Sequence, residues 1–145
     1  MRILTLFLIS LIFISCAKVN PNYFQSSFTA YEKKVNYNKI ADDFIQLLSS
    51  YYPPNKTTLF LNEEKSNKDF FDYFILSIRK KGYAISNDNS RKNLTFLSYQ
   101  ISQIDNETIV AIFNVDESKV SMIYSIVDNK LIKTSITNFN FNSKY

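Results

Sequence analysis

Cys16 is the only cysteine in the chain, and it stands directly after Ser15 at the end of an apolar run. A thiol in that position can carry an acyl-bearing thioether, and removal of the residues ahead of it would free its amino group for a further acyl chain. The remaining residue types offer little reaction chemistry. Histidine is absent, which removes the commonest general base, proton shuttle and transition-metal ligand together. Serines are plentiful, yet without histidine a catalytic triad has no base, and a Ser/Lys pair stays open without any motif to mark it. Glu63-Glu64 and Asp116-Glu117 are the acidic pairs able to ligate a hard cation. Neither lies in a loop of alternating oxygen ligands. The single glycine cannot build a glycine-rich phosphate cradle. No catalytic residue, metal or cofactor is expected, and the reading is of a protein that is not an enzyme.

The stretch ahead of Cys16 explains its placement. Arg2 gives a positive start, and Leu4 to Ile14 is an almost unbroken apolar run. A bilayer-spanning helix needs about 20 apolar residues, so the run reads as a secretory signal. Its end resembles the cleavage box of bacterial lipoproteins, with Phe13 where a leucine is usual and Leu11 and Ile12 just upstream. An ordinary secretory signal with a chance cysteine is the alternative. The expected division is residues 1–15 as lipoprotein signal, 16–37 as a lipid-anchored flexible tether, and 38–145 as one α+β domain. Fully extended, residues 17–36 would reach roughly 60 Å. Their aromatics (Tyr23, Phe24, Phe28, Tyr31) leave two possibilities open, docking on the protein's own domain or on a partner.

The formal charge is +4, with lysines scattered along the chain between acids. Such weak basicity favours an anionic membrane surface in some proteins and is a solvated face in most. A nucleic-acid partner is not expected, because no basic stripe is interleaved with stacking aromatics.

Periodicity supplies the elements. Ile40, Ala41, Phe44, Leu47, Leu48 and Tyr51 form one helical stripe over Asn38 to Tyr51, with Asn38 as N-cap and Pro53-Pro54 as the stop. Thr57 to Asn62 is strand-like, and Glu63-Glu64-Lys65 reads as a charged turn. A second helix spans Lys68 to Lys81, on the stripe Phe70, Phe71, Phe74, Ile75 and Ile78. Ser66 or Asn67 caps it, and Gly82 ends it. From Tyr83 the period is two. Short strands follow at Tyr83 to Ser86, Asn93 to Gln103, Thr108 to Val115, Lys119 to Val127 and Leu131 to Asn138, with Asp128-Asn129 a tight turn. The expected class is α+β: two helices on one face of a mainly antiparallel sheet of about five strands, ordered helix-strand-helix-strand-meander. Phe139, Phe141 and Tyr145 alternate in the tail.

The segment from Ile40 to about Tyr99 resembles the conjugal transfer protein TrbH family, small lipoproteins of plasmid mating-pair apparatus related to type IV secretion. Ala41-Asp42-Asp43 with Leu47 and Tyr51-Tyr52-Pro53-Pro54-Asn55-Lys56-Thr57 is similar to its helix ending in Tyr-Pro-Pro. Asp69-Phe70-Phe71 with Leu76, Arg79 and Gly82-Tyr83-Ala84-Ile85 is similar to its second helix and following strand, with Phe71 where a glycine is usual. Leu97-Ser98-Tyr99 is similar to its Leu-x-Tyr strand. The resemblance implies a non-enzymatic structural subunit of a conjugative secretion channel, oligomeric, lipid-anchored in the outer membrane through Cys16 and facing the periplasm. A small domain like the N-terminal modules of secretins is then possible, and other channel subunits become the expected partners, by strand addition. Tyr52, Pro53, Pro54, Arg79, Gly82 and Tyr83 are the motif positions assigned structural or interface roles. Two rivals stand beside it: a periplasmic lipoprotein that binds a small ligand or lipid, and an envelope-assembly chaperone.

Overall fold

The computed structural model describes residues 24–31 and 35–137. Cys16, the signal, and the tail with Phe139, Phe141 and Tyr145 lie outside the described residues. In chain order the elements are β1 (Ser27–Phe28), α1 (Asn38–Tyr51), a 3-10 turn (Pro54–Lys56), β2 (Thr58–Phe60), α2 (Lys68–Lys80), β3 (Ala84–Ser86), β4 (Leu94–Gln103), β5 (Thr108–Val115), β6 (Ser118–Val127) and β7 (Lys130–Thr137).

The helices form where the apolar stripes predict them. Ile40, Phe44, Ile45 and Leu48 of α1 and Phe70, Phe74 and Ile78 of α2 are buried. Asn67 caps α2, its side chain accepting from the Phe70 amide at 3.0 Å. The expected cap of α1 is corrected. The cap position is Tyr37, whose side chain makes no capping hydrogen bond, and Asn38 is itself served, its amide donating to Asn36 Oδ1 at 2.9 Å. Gly82 follows α2 at φ +101, a conformation that side chains with a Cβ rarely adopt.

The sheet departs from expectation in strand number and direction. It is a mixed sheet of seven strands ordered β3-β2-β4-β5-β6-β7, with β1 also paired to β4. The meander β4 to β7 is antiparallel as its short joins require. Val127 pairs with Lys130 across Asp128 and Asn129, both at positive φ, a two-residue turn whose twist suits a hairpin. By contrast β2 is parallel to both β3 and β4. The physical reason is the connection: a helix between β2 and β3 lets the chain return and run the same way again. Alternation alone carries no strand direction. The second difference is β1, parallel to β4 with Ser27 opposite Gln100 and Phe28 opposite Ile101. Of the two possibilities left open for the aromatic arm, residues 24–31 take the first, docking on their own domain.

Both helices lie on one face of the sheet. Leu97, Tyr99 and Ile101 of β4, Ile109, Ala111, Phe113 and Val115 of β5, and Val120, Met122 and Tyr124 of β6 point into the core with the helix stripes. Phe44 stacks on Phe113 with ring centroids 3.8 Å apart, and Phe74 meets Tyr99 edge-on at 5.5 Å. Phe24, Phe60 and Phe96 form a separate aromatic cluster, with ring centroids 5.3 and 5.4 Å from Phe96. Phe113 touches both helices through Phe44 and Phe74. Phe113→Ala is therefore expected to lower unfolding stability by about 3–5 kcal/mol, read from urea denaturation; a loss below about 1 kcal/mol would show that the helices are held elsewhere.

Candidate functional site

Two joints carry the polar and motif residues. The first gathers the resembling motif at one corner, where the C-terminal ends of the helices meet. Tyr52 is 1% exposed, and its carbonyl accepts from the Tyr83 hydroxyl at 2.7 Å in the buried interior. Pro53 presents its carbonyl to Thr57 Oγ1 at 2.9 Å and to the Lys56 amide at 3.0 Å. Pro54 Cβ lies 3.6 Å from where a Gly82 Cβ would stand. The Gly82 amide donates to the Arg79 carbonyl at 2.9 Å, while the Arg79 side chain is exposed. Tyr52, Pro53, Pro54, Gly82 and Tyr83 thus meet at one corner, with the Arg79 side chain exposed beside it. Burial holds the Tyr83 phenol well above the usual tyrosine range, so it serves as a neutral donor.

The second joint was invisible as such in the sequence. Glu64, read there as part of a charged turn, is buried at 5% exposure. Its carboxylate accepts from the Ser66 amide, from the Asn67 amide at 3.1 Å, and from the Tyr99 hydroxyl at 3.4 Å, with Ser66 Oγ close against it. Ser66 Oγ in turn accepts from the Phe28 amide at 3.2 Å and sits 3.1 Å from the Phe28 carbonyl. The Tyr99 amide donates to Ser26 Oγ, and the Thr29 amide to the Ile101 carbonyl at 2.8 Å. The carboxylate therefore organises the start of α2, the core phenol and the N-terminal arm at one point. A Glu three residues ahead of an Asn cap was the available signal.

A parallel arrangement fastens α1 to the other end of the sheet. Asp43 accepts from the buried Tyr124 hydroxyl at 3.1 Å and pairs with Lys39 at 3.0 Å and Lys133 at 3.7 Å. Asp42 accepts from the Tyr73 hydroxyl at 3.0 Å, linking the helices. Burial, followed by the neighbouring carboxylate charge, pushes Tyr99 and Tyr124 far up from the usual phenol range. Groups held neutral this way donate hydrogen bonds and do not act as bases at neutral pH. Among the described residues, no group of three His, Cys, Asp or Glu is placed to hold a metal ion.

What the fold and these joints define is a small α+β domain whose N-terminal arm is clamped to its central strand. The chain belongs to the conjugal transfer protein TrbH family, whose model matches residues 20–140. The match takes in the docked arm and the whole meander as well as the helices. No curated protein and no solved structure matches the chain. Family membership implies a component of the conjugation apparatus and points to a non-enzymatic role. No helix among the described residues is long and apolar enough to cross a membrane.

Two outcomes follow from the joints. Ser66→Ala removes the partner of the Phe28 amide, so hydrogen exchange at Phe28 and Thr29 should accelerate while the β5 amides stay protected. Equal rates in both proteins would mean that the arm is held by its aromatics alone. The three buried phenols also give an alkaline signature. Their folded values lie above the ordinary 10.0, so above about pH 10 the unfolded chain releases protons that the folded chain retains. Stability is then full below pH 10 and falls as pH rises beyond it. Absorbance titration should leave three of the ten tyrosines un-ionised until the chain unfolds; reversible ionisation of all ten near pH 10 in a folded chain would contradict the assignment.

Proposed function

We propose that this chain is a non-enzymatic structural subunit of the conjugation apparatus, held on the outer membrane by an acylated Cys16 and facing the periplasm. The observation that carries the reading is the family match over residues 20–140. The apolar run ending at Ser15-Cys16 supports the anchor, since two or more acyl chains hold a protein on a membrane durably and one is marginal. In this reading the family's corner residues serve shape, and neighbouring subunits attach at the sheet edge. β7 is that edge, with Ile132 and Ile136 exposed at 49% and 42%, a place for another subunit to add a strand. Lys130, exposed along it, disfavours pairing with a second copy and favours an acidic partner strand.

The ligand-binding alternative finds less support. A groove of about 510 Å³ runs beside Tyr31, Tyr37 and Tyr73, but Asn36, Asn38, Asn67 and Asp69 edge it. A site for a lipid or small apolar ligand is walled mainly by apolar groups.

A pull-down from detergent-solubilised envelope, wild type beside Cys16→Ser and read by mass spectrometry, tests the reading. Recovery of other conjugation-apparatus subunits with wild type, reduced in the variant, is expected. Recovery of the protein alone in both, with Cys16 acylated in the wild type, would sink the channel role.

A further inference from the structure

Five of the basic residues that are scattered along the chain come to one end of the fold. Thr58, Ala84 and Leu94 lie side by side in the sheet, because β2, β3 and β4 run parallel and begin at the same end. Two of these strands, β3 and β4, are approached through a basic segment. Lys80 and Lys81, with Arg79, close α2 ahead of β3, and Arg91 and Lys92 sit just before β4. All five side chains are exposed. The negative end of the α2 dipole accounts for Arg79 and Lys80. It does not account for Arg91 and Lys92, which belong to a loop. Asp88, tied to Ser90, and the Asp116-Glu117 turn are the acids nearest to this end among the described residues.

The opposite end has the contrary bias. Glu63, Asp69, Asp72, Asp105, Glu107 and Asp128 lie beyond the ends of β2, β4 and β6 or in the first turns of α2, interspersed with Lys65, Lys68 and Lys130. Two ends of unequal charge orient a domain on a charged surface. The direction of the arm then decides which end is near the anchor. β1 runs parallel to β4, and the described chain begins at Phe24, whose ring lies against Phe96, the third residue of β4. Eight residue steps separate Cys16 from Phe24, a reach of at most roughly 26 Å.

We propose that the end formed by Arg79, Lys80, Lys81, Arg91 and Lys92 is a docking face for the anionic headgroups of the bilayer that holds the chain. The inference rests on the reading of Cys16 as the lipid anchor. Juxtamembrane basic clusters are attracted to anionic headgroups over about a Debye length. The face therefore fixes the acidic end, the α1 and α2 N-termini and the β4-β5 turn away from the membrane, toward partners.

The acylated full chain, reconstituted in vesicles of neutral phosphatidylcholine or of the same lipid with roughly a third of phosphatidylglycerol, supplies the test. An amine-reactive ester would be read lysine by lysine. Lys80, Lys81 and Lys92 should label several-fold more slowly than Lys65 and Lys130 on the anionic vesicles only, and high salt should abolish the difference. Arg91→Glu with Lys92→Glu, both exposed in a loop, should restore fast labelling of Lys80 and Lys81 in a protein with unchanged thermal melting. Even labelling on both vesicles, with the acyl mass present at Cys16, overturns the docking face alone. Equal protection on both lipids overturns it too, since the tether and not charge would then be responsible. A chain without acyl mass overturns the anchor reading, and the docking face with it.

Discussion

Phe113 and Tyr99, on adjacent strands, are the surface on which both helices rest, and the rest of the domain depends on that contact. Phe44 reaches it from α1, while Phe70 and Phe74 reach it from α2. Because these rings sit on β4 and β5, those two inner strands must be in register for either helix to have a place to bind. The shorter strands β2 and β3 add little area of their own. They hold α2 in line by connecting to it at both ends, and the Tyr52-Tyr83 bond then locks the far corner where α1 and α2 finish.

Polar groups do a different task in this core. Two carboxylates receive a phenol from the sheet: Glu64 takes Tyr99, and Asp43 takes Tyr124. A phenol can bury its ring and still satisfy its hydroxyl, so an Asn- and Tyr-rich chain can bind helices to a sheet without histidine or tryptophan. That arrangement serves fixed geometry, in keeping with a structural member of the TrbH family. The Glu64 carboxylate is the more consequential of the two, because it collects donors from the start of α2 and from β4, and reaches the arm through Ser66. Its acceptor capacity is what makes Ser66 available to the arm.

Much of this was legible in residue patterns. The helical stripes through Phe44 and Phe74 placed both helices to within a residue, the lone Gly82 marked the end of α2, and Asp128-Asn129 marked the last hairpin. These signals are local. What escaped depends on contacts distant in sequence. Strand direction around β2 has no imprint in an alternating pattern, although the helix between β2 and β3 carried it implicitly. β1 is two residues long, too short for any period, and it exists because β4 extends past the end of β2 and leaves backbone groups to pair. Glu64 looked like a surface turn because its donors come from Asn67, three residues on, and from Tyr99, thirty-five residues on. Of the motif residues, Pro53-Pro54 and Gly82 follow their helices as the pattern indicates, whereas Pro54 opens a 3-10 turn and Tyr83 stands just before β3. Their meeting at one corner needed the fold, since Tyr52 and Tyr83 are thirty-one residues apart.

The parallel run of the arm along β4 has a mechanical side. A force applied to the chain ahead of Phe24 and directed along β4 loads the bonds of Ser26, Phe28 and Thr29 together, in shear. An antiparallel arm pulled from a hairpin end would open them one after another, like a zipper. Sharing load across several bonds, and across the Phe24, Phe60 and Phe96 rings beside them, makes the junction a strain-bearing coupling. Rupture then requires the whole contact to slip at once.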